Sequence, residues 1–165
     1  MTRQEQFEYV VKHWYLKDGV VYSLLTNKPV SFPCNNRHKY YFTNVRYGGS
    51  KNNPIRLYHA VFMLYHNRPI GDGMEIHHID GNTMNNHPSN LVELTPRQHR
   101  RIHYYQSDDP MRGIRLRYGA WVFQWVDADG REHGKTFHEI NEAMKFRAEI
   151  EEPYRAELRA LGLDC

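Results

Sequence analysis

The chain has 165 residues and only two cysteines, Cys34 and Cys165. That scarcity excludes a disulfide framework and a cysteine-built zinc knuckle, and it suits a reducing compartment. No apolar run approaches the length that spans a bilayer, and Met1-Thr2-Arg3-Gln4-Glu5 does not open a signal peptide. The expectation is an intracellular protein with no membrane partner. Charge of one sign is lacking too. Lysine and arginine number 22 against 19 acidic residues, a net of +3, which permits a nucleic-acid partner without demanding one. No heptad run or long apolar stripe marks an oligomer interface, so a monomer is expected.

What the chain does have is histidine. Five of its eleven histidines fall between His77 and His103. Histidine binds divalent metals and exchanges a proton near neutral pH, so the cluster is a candidate hydrolytic centre. Glu75 to Ile79 is short, places isoleucine at alternate positions and precedes the turn signal Asp80-Gly81-Asn82, which reads as a strand entering a hairpin. Leu91 to Leu94 is the returning strand. Thr95-Pro96 then supplies an N-cap and a first helical proline. On that helix His99 and His103 are four apart and share a face, so both can reach one ion. Adjacent strand residues point to opposite faces, so His77 and His78 take different tasks. One can complete a metal site while the other faces substrate as a base. Singly, each of these residues has an ordinary explanation as a surface or turn residue. The ordered set, with Asn85, Asn86 and Asn90 between, is what carries a functional reading.

Around this cluster the pattern is α+β. Phe7, Val10, Val11 and Trp14 have helical spacing. Val20 to Leu25, Lys39 to Tyr47 and Ile55 to Tyr58 read as strands, with Gly48 to Pro54 as a loop and His59 to His66 as a helix. A polar stretch, Ser107-Asp108-Asp109-Pro110, opens a second module. There Gly113 to Tyr118, Gly119 to Val126 and Arg131 to Phe137 read as three short strands with tight turns, followed by a helix from His138 to about Leu161. Charge is uneven: Thr95 to Gly119 holds six arginines against two aspartates, whereas the terminal helix is rich in glutamate. Such a basic band suits a phosphate-facing side.

The stretch from Tyr58 to His103 resembles the HNH module of phage and intron homing endonucleases. That resemblance implies a ββα-metal fold: a hairpin packed on a helix around one divalent ion. It implies site-specific cleavage of double-stranded DNA by a phage- or mobile-element-encoded enzyme. His78 matches the general base. His77 matches the first metal ligand, and His99, 21 residues after the base, matches the ligand on the helix. Asn90 matches the asparagine that braces the hairpin and orients the base. His103 matches a third histidine of the bacterial toxin branch. Many homing enzymes have Asp where this chain has His77. Mg²⁺ or Mn²⁺ is the family's usual ion, but an imidazole-rich set also suits Zn²⁺ or Ni²⁺. Arg97, Arg100 and Arg101 lie on the ligand helix and are expected to clamp phosphates.

The C-terminal module resembles the three-stranded Apetala-two-like, or ethylene-response-factor, DNA-binding domain, on Gly113-Ile114-Arg115, Trp121, Lys135-Thr136-Phe137 and Glu142-Ala143. By that resemblance its sheet enters the major groove, with Arg115, Arg117, Trp121 and Gln124 as reading residues. Arg37, His38, Lys39, Arg46 and Lys51 are further expected contacts in the N-terminal strands. The chain thus divides into an N-terminal scaffold (1–57), an HNH module (58–106) and a C-terminal domain (107–165). The expected fold class is α+β: a ββα-metal module with N-terminal strands, plus a three-stranded antiparallel sheet packed on a helix. Two functions compete. One is a DNA endonuclease that nicks with one divalent ion and a histidine base. The other is a non-catalytic DNA-binding protein whose histidines hold a structural ion.

Overall fold

In a computed structural model, residues 1–35, 39–107 and 109–165 are described. Arg37 and His38, two of the expected DNA contacts, and Asp108 of the expected linker lie outside the described residues. Helix α1 (Arg3–His13) is set by its cap: the Thr2 hydroxyl accepts from the Glu5 N–H, and the Glu5 carboxylate accepts from the Thr2 N–H. Helical spacing carries on to Trp14 in the sequence, yet Trp14 starts strand β1 (Trp14–Lys17). The turn explains the difference. Asp18 and Gly19 both take positive φ, 51° and 75°, which suits a two-residue hairpin and pairs β1 with β2 (Val20–Ser23).

A second difference lies at Gly48 to Pro54, expected as a loop. Gly48 and Gly49, with φ of 57° and 81°, form a tight turn, and residues from Ser50 onward return as a strand. Strands β3 (Cys34–Asn35), β4 (Tyr40–Tyr47) and β5 (Ser50–Arg56) make a three-stranded antiparallel sheet in that order. Pro54 fits because β5 is an edge strand, where a missing N–H costs no ladder bond. The Asn53 amide reinforces the turn by donating to the carbonyls of Val45, Tyr47 and Ser50.

Helix α2 (Leu57–His66) buries six consecutive residues, Tyr58 to Met63. A helix apolar on nearly every side is an interior helix. It centres a core with Val10, Trp14, Val21, Val45 and Ile55. Strand β6 (Glu75–His78) pairs antiparallel with β7 (Leu91–Leu94), and a 3₁₀ turn at Pro88–Asn90 leads into β7. Helix α3 (Pro96–Tyr105) follows, capped as expected by Thr95: its hydroxyl accepts from the Gln98 N–H and the Gln98 side chain accepts from the Thr95 N–H.

The remaining strands, β8 (Ile114–Arg117), β9 (Ala120–Val126) and β10 (Glu132–Phe137), form an antiparallel sheet ordered β10-β9-β8, and helix α4 (Ile140–Ala160) ends the fold. Ile114, Phe123, Phe137 and Ala143 form the core between this sheet and α4. Phe123 is fully buried because it sits on the central strand. The architecture is α+β, with four α-helices and small antiparallel sheets among the described residues. Two compact units emerge, Met1–His99 and Arg100–Cys165. The division falls inside α3 because Arg101, Tyr104 and Tyr105 pack with Arg112, Tyr154 and Arg155. No helix among the described residues is long and apolar enough to cross a membrane.

His59 on α2 ties the first unit together. The Arg3 guanidinium lies 3.0 Å from its Nδ1, and since a guanidinium only donates, His59 is neutral there. Burial first, then Arg3 and Arg56, push its pKa down to about 3. The unfolded chain takes that proton near pH 6.5, so the contribution to stability is complete above that pH. It is lost as pH falls toward 3. We predict that stability in urea melts falls on going from about pH 7 to about pH 5, by on the order of 1–2 kcal/mol from this group. His59→Gln should remove that part of the slope.

Candidate active site

The loop between β6 and β7 is held by side chains rather than by a ladder. Asp80 Oδ1 accepts from the Asn82 N–H and from Asn90 Nδ2, each at 2.8 Å, and Oδ2 accepts from Asn85 Nδ2 at 2.7 Å. Asn90 Oδ1 in turn accepts from the Asp80 N–H at 3.0 Å, and its Nδ2 also reaches the Asn85 carbonyl. The bonds from Asn85 and Asn90 keep the Asp80 carboxyl below the ordinary aspartate range. Gly81, with φ of 70°, turns the chain, and its N–H donates to the His78 carbonyl. Asn90 thus ties the end of the loop back to its start.

His77 and His78 leave β6 in opposite directions, and both are buried. His78 Nε2 lies 3.1 Å from Asn86 Oδ1. The ring edge of His78 also meets Tyr58, with centroids 5.2 Å apart at 70°. Tyr58 is itself fixed by Arg56, which donates to its hydroxyl at 2.6 Å. The side chain within hydrogen-bond distance of the expected base is thus Asn86. Asn90 acts on it through the loop.

His77 turns toward α3. Its ring centroid lies 5.0 Å from that of His99. One ring nitrogen each from His77, His99 and His103 lie within 4.8 Å of one another. The i, i+4 spacing on α3 brings His99 and His103 together. The donor set fits a divalent ion: three imidazoles leave coordination positions for water or phosphate oxygen, as a catalytic site requires. It is richer in nitrogen than a typical Mg²⁺ site and suits Mn²⁺, Zn²⁺ or Ni²⁺ on ligand chemistry. Glu75, two residues before His77 on the same strand face, pairs with His99 Nδ1. A carboxylate on Nδ1 leaves Nε2 to the ion and fixes the ring.

Glu75 and Tyr58 were not among the sequence candidates, and Asn86 entered only as part of the ordered pattern, with no role assigned to it. Period-two spacing places Glu75 beside His77 and was a usable signal. The contacts of Asn86 and Tyr58 depend on how the loop and α2 fold back, and no local pattern encodes them.

The expected DNA contacts are distributed unevenly. Arg100 is exposed and Arg97 half-buried, whereas the Arg101 guanidinium stacks 3.5 Å above the Tyr154 ring. Lys39, Arg46 and Lys51 are exposed. In the three-stranded sheet, Arg115 pairs with Val122 and Arg117 with Ala120. Directly opposed residues share a face, and alternation puts Gln124 on that face too. Trp121 falls on the other face, packed with the core under α4. Arg115, Arg117 and Gln124 are exposed together.

Residues 56–101 match the family model described as HNH endonuclease. A solved structure described as "DNA binding and cleavage by the HNH homing endonuclease I-HmuI" is similar at 19% identity and a TM-score of 0.44, covering 81% of this chain and 76% of that one. No curated protein matches the chain.

If Glu75 orients a ligand, Glu75→Gln should weaken Mn²⁺ or Ni²⁺ binding about tenfold, and His99→Ala should weaken it further. Isothermal titration of the metal-free protein checks both, and unchanged affinity in Glu75→Gln would detach that carboxylate from the site.

Proposed function

We propose that this chain, which carries an HNH endonuclease domain over residues 56–101, is a site-specific DNA endonuclease of the homing type. It hydrolyses a phosphodiester with His78 as general base and one divalent ion held by His77, His99 and His103. The observation that carries the reading is the buried His78 beside a three-imidazole cluster, the two sharing adjacent residues of one strand. A purely structural ion site has no use for a second, separately held histidine.

Hydrolysis requires a water in line with the scissile bond, losing its proton as it attacks phosphorus. His78 takes that proton. Water oxygen bonds to phosphorus as the bond to the 3′ oxygen breaks. When bound, the ion supplies charge neutralisation at the phosphate and the departing oxygen; Mg²⁺ or Mn²⁺ is the proposed species, with Zn²⁺ or Ni²⁺ compatible with the ligands. Asn90 keeps the hairpin in register, so that base and ligands hold their spacing. Arg97 and Arg100 bind flanking phosphates, with Arg101 contributing positive charge from its place on Tyr154.

Residues 107–165 supply the Apetala-two-like DNA-binding domain in this reading, 58–106 the nuclease and 1–57 a scaffold. Arg115, Arg117 and Gln124, exposed on one sheet face, support base and phosphate contacts. Trp121 supports that face from beneath. Distinct modules in tandem give an asymmetric footprint on a non-palindromic site, and a monomer with one metal centre holds one scissile phosphate at a time. The product is therefore a nick.

Supercoiled plasmid bearing a target site should convert to open circle in Mg²⁺ or Mn²⁺, with linear product late or absent, and EDTA should stop it. Binding of DNA without any metal-dependent cleavage would favour the non-catalytic alternative. His78→Ala should abolish nicking while DNA affinity stays within about twofold, because the base acts only as the barrier is crossed. Removal of residues from Asp109 onward should weaken site-specific binding by about 1 kcal/mol or more. Unchanged selectivity in that truncation would deny the C-terminal domain a role in specificity.

A further inference from the structure

The loop from Ile79 to Asn90 carries four asparagines, and three of them are committed to the loop itself. Asn82 Oδ1 accepts from the Met84 N–H, Asn85 spans Asp80 and the His87 N–H, and Asn90 returns to Asp80. Asn86 is different, because its nitrogen stays with the loop while its oxygen faces His78 outside it.

The chemistry of that contact has a direction. Asn86 Nδ2 donates to the Met84 carbonyl at 3.1 Å, which settles how the amide is turned. The atom facing His78 Nε2 at 3.1 Å is then the carbonyl oxygen, Oδ1, which only accepts. A hydrogen bond there needs its proton on Nε2. In the neutral ring the other nitrogen, Nδ1, must hold the lone pair. The His78 ring packs against Tyr58, with centroids 5.2 Å apart, and His78 is only 5% exposed.

We propose that Asn86 is the positioning residue of His78: it fixes the tautomer with hydrogen on Nε2 and presents Nδ1 as the atom that takes the proton. This rests on the reading of His78 as the general base. In the step, the O–H bond of the attacking water breaks and its proton forms a bond to Nδ1. The water oxygen bonds to phosphorus, the bond to the 3′ oxygen breaks, and that oxygen is protonated from solvent. As the ring becomes an imidazolium, its Nε2–H remains donated to Asn86. The carbonyl dipole thus stabilises the charge that develops, the service a carboxylate or amide performs behind other catalytic histidines.

The test uses the full chain. With ¹⁵N-labelled histidine and no metal, long-range proton–nitrogen spectra should show His78 in the Nε2–H form, and Asn86→Ala should turn that into a mixture of tautomers. On supercoiled plasmid in Mn²⁺, Asn86→Ala should lower kcat about tenfold or more with KM little changed. Asn86→Asp keeps an acceptor opposite Nε2 and should recover most of the rate. Thermal melts of both variants report whether the loop still folds. An Nδ1–H form of His78 in the parent protein would overturn the proposal. So would parent-level kcat in Asn86→Ala, or a rate in Asn86→Asp as low as in Asn86→Ala. If the parent protein cuts no DNA, the nuclease reading fails, while the spectra still decide which nitrogen Asn86 holds protonated.

Discussion

Asn90 and Asp80 face each other across the base of the loop between β6 and β7, each accepting from the other. Asn90 donates to the Asp80 carboxylate while the Asp80 N–H donates to Asn90. Two strands of four residues each make a ladder too short to be stable alone. The polar clasp supplies what the ladder lacks, and it is half-shielded, where satisfied hydrogen bonds matter most and orphaned ones are costly. Everything used for chemistry hangs from it. The loop brings Asn86 onto His78, and β6 aims His77 and Glu75 at α3. Loss of the clasp would leave the histidines present but unregistered.

Much of this site was legible because its elements are local. The strand ending at His78, the Asp80-Gly81-Asn82 turn, the Thr95 cap and the four-residue spacing of His99 and His103 are each decided by neighbours in sequence. Two hairpins differ most from the expected elements: the turn at Asp18-Gly19 is marked in the sequence but its first strand is not, and Gly48-Gly49 closes a hairpin in a stretch that reads as a loop. There the turn geometry overrode helical spacing at Trp14 and a loop-like composition through Asn52-Asn53-Pro54. The contacts of Asn86 and Tyr58 with His78 left no signal for a different reason. Each is made across elements, and a buried contact leaves no periodicity in the chain.

The second unit shows how alternation sorts residues that composition groups together. Arg115, Arg117, Trp121 and Gln124 look like one recognition set in the sequence. The strand register separates them: three lie exposed on one face, and Trp121 packs on the other against the core of Ile114, Phe123, Phe137 and Ala143. A bulky indole on the helix side holds the sheet's shape, whereas the guanidinium groups keep their reach. Arg101 is sorted in the same way by its stack on Tyr154, which orders a charge instead of leaving it to sample solvent.

The proposed centre has His77, His99 and His103 holding one ion beside a separately held His78. Crystals grown with Mn²⁺ and measured at a wavelength sensitive to it test this most directly. A single anomalous peak is expected about 2.1 Å from one ring nitrogen of each of the three histidines, with His78 still against Asn86 and outside the coordination sphere. A peak placed elsewhere, or one that takes His78 as a ligand, would contradict it.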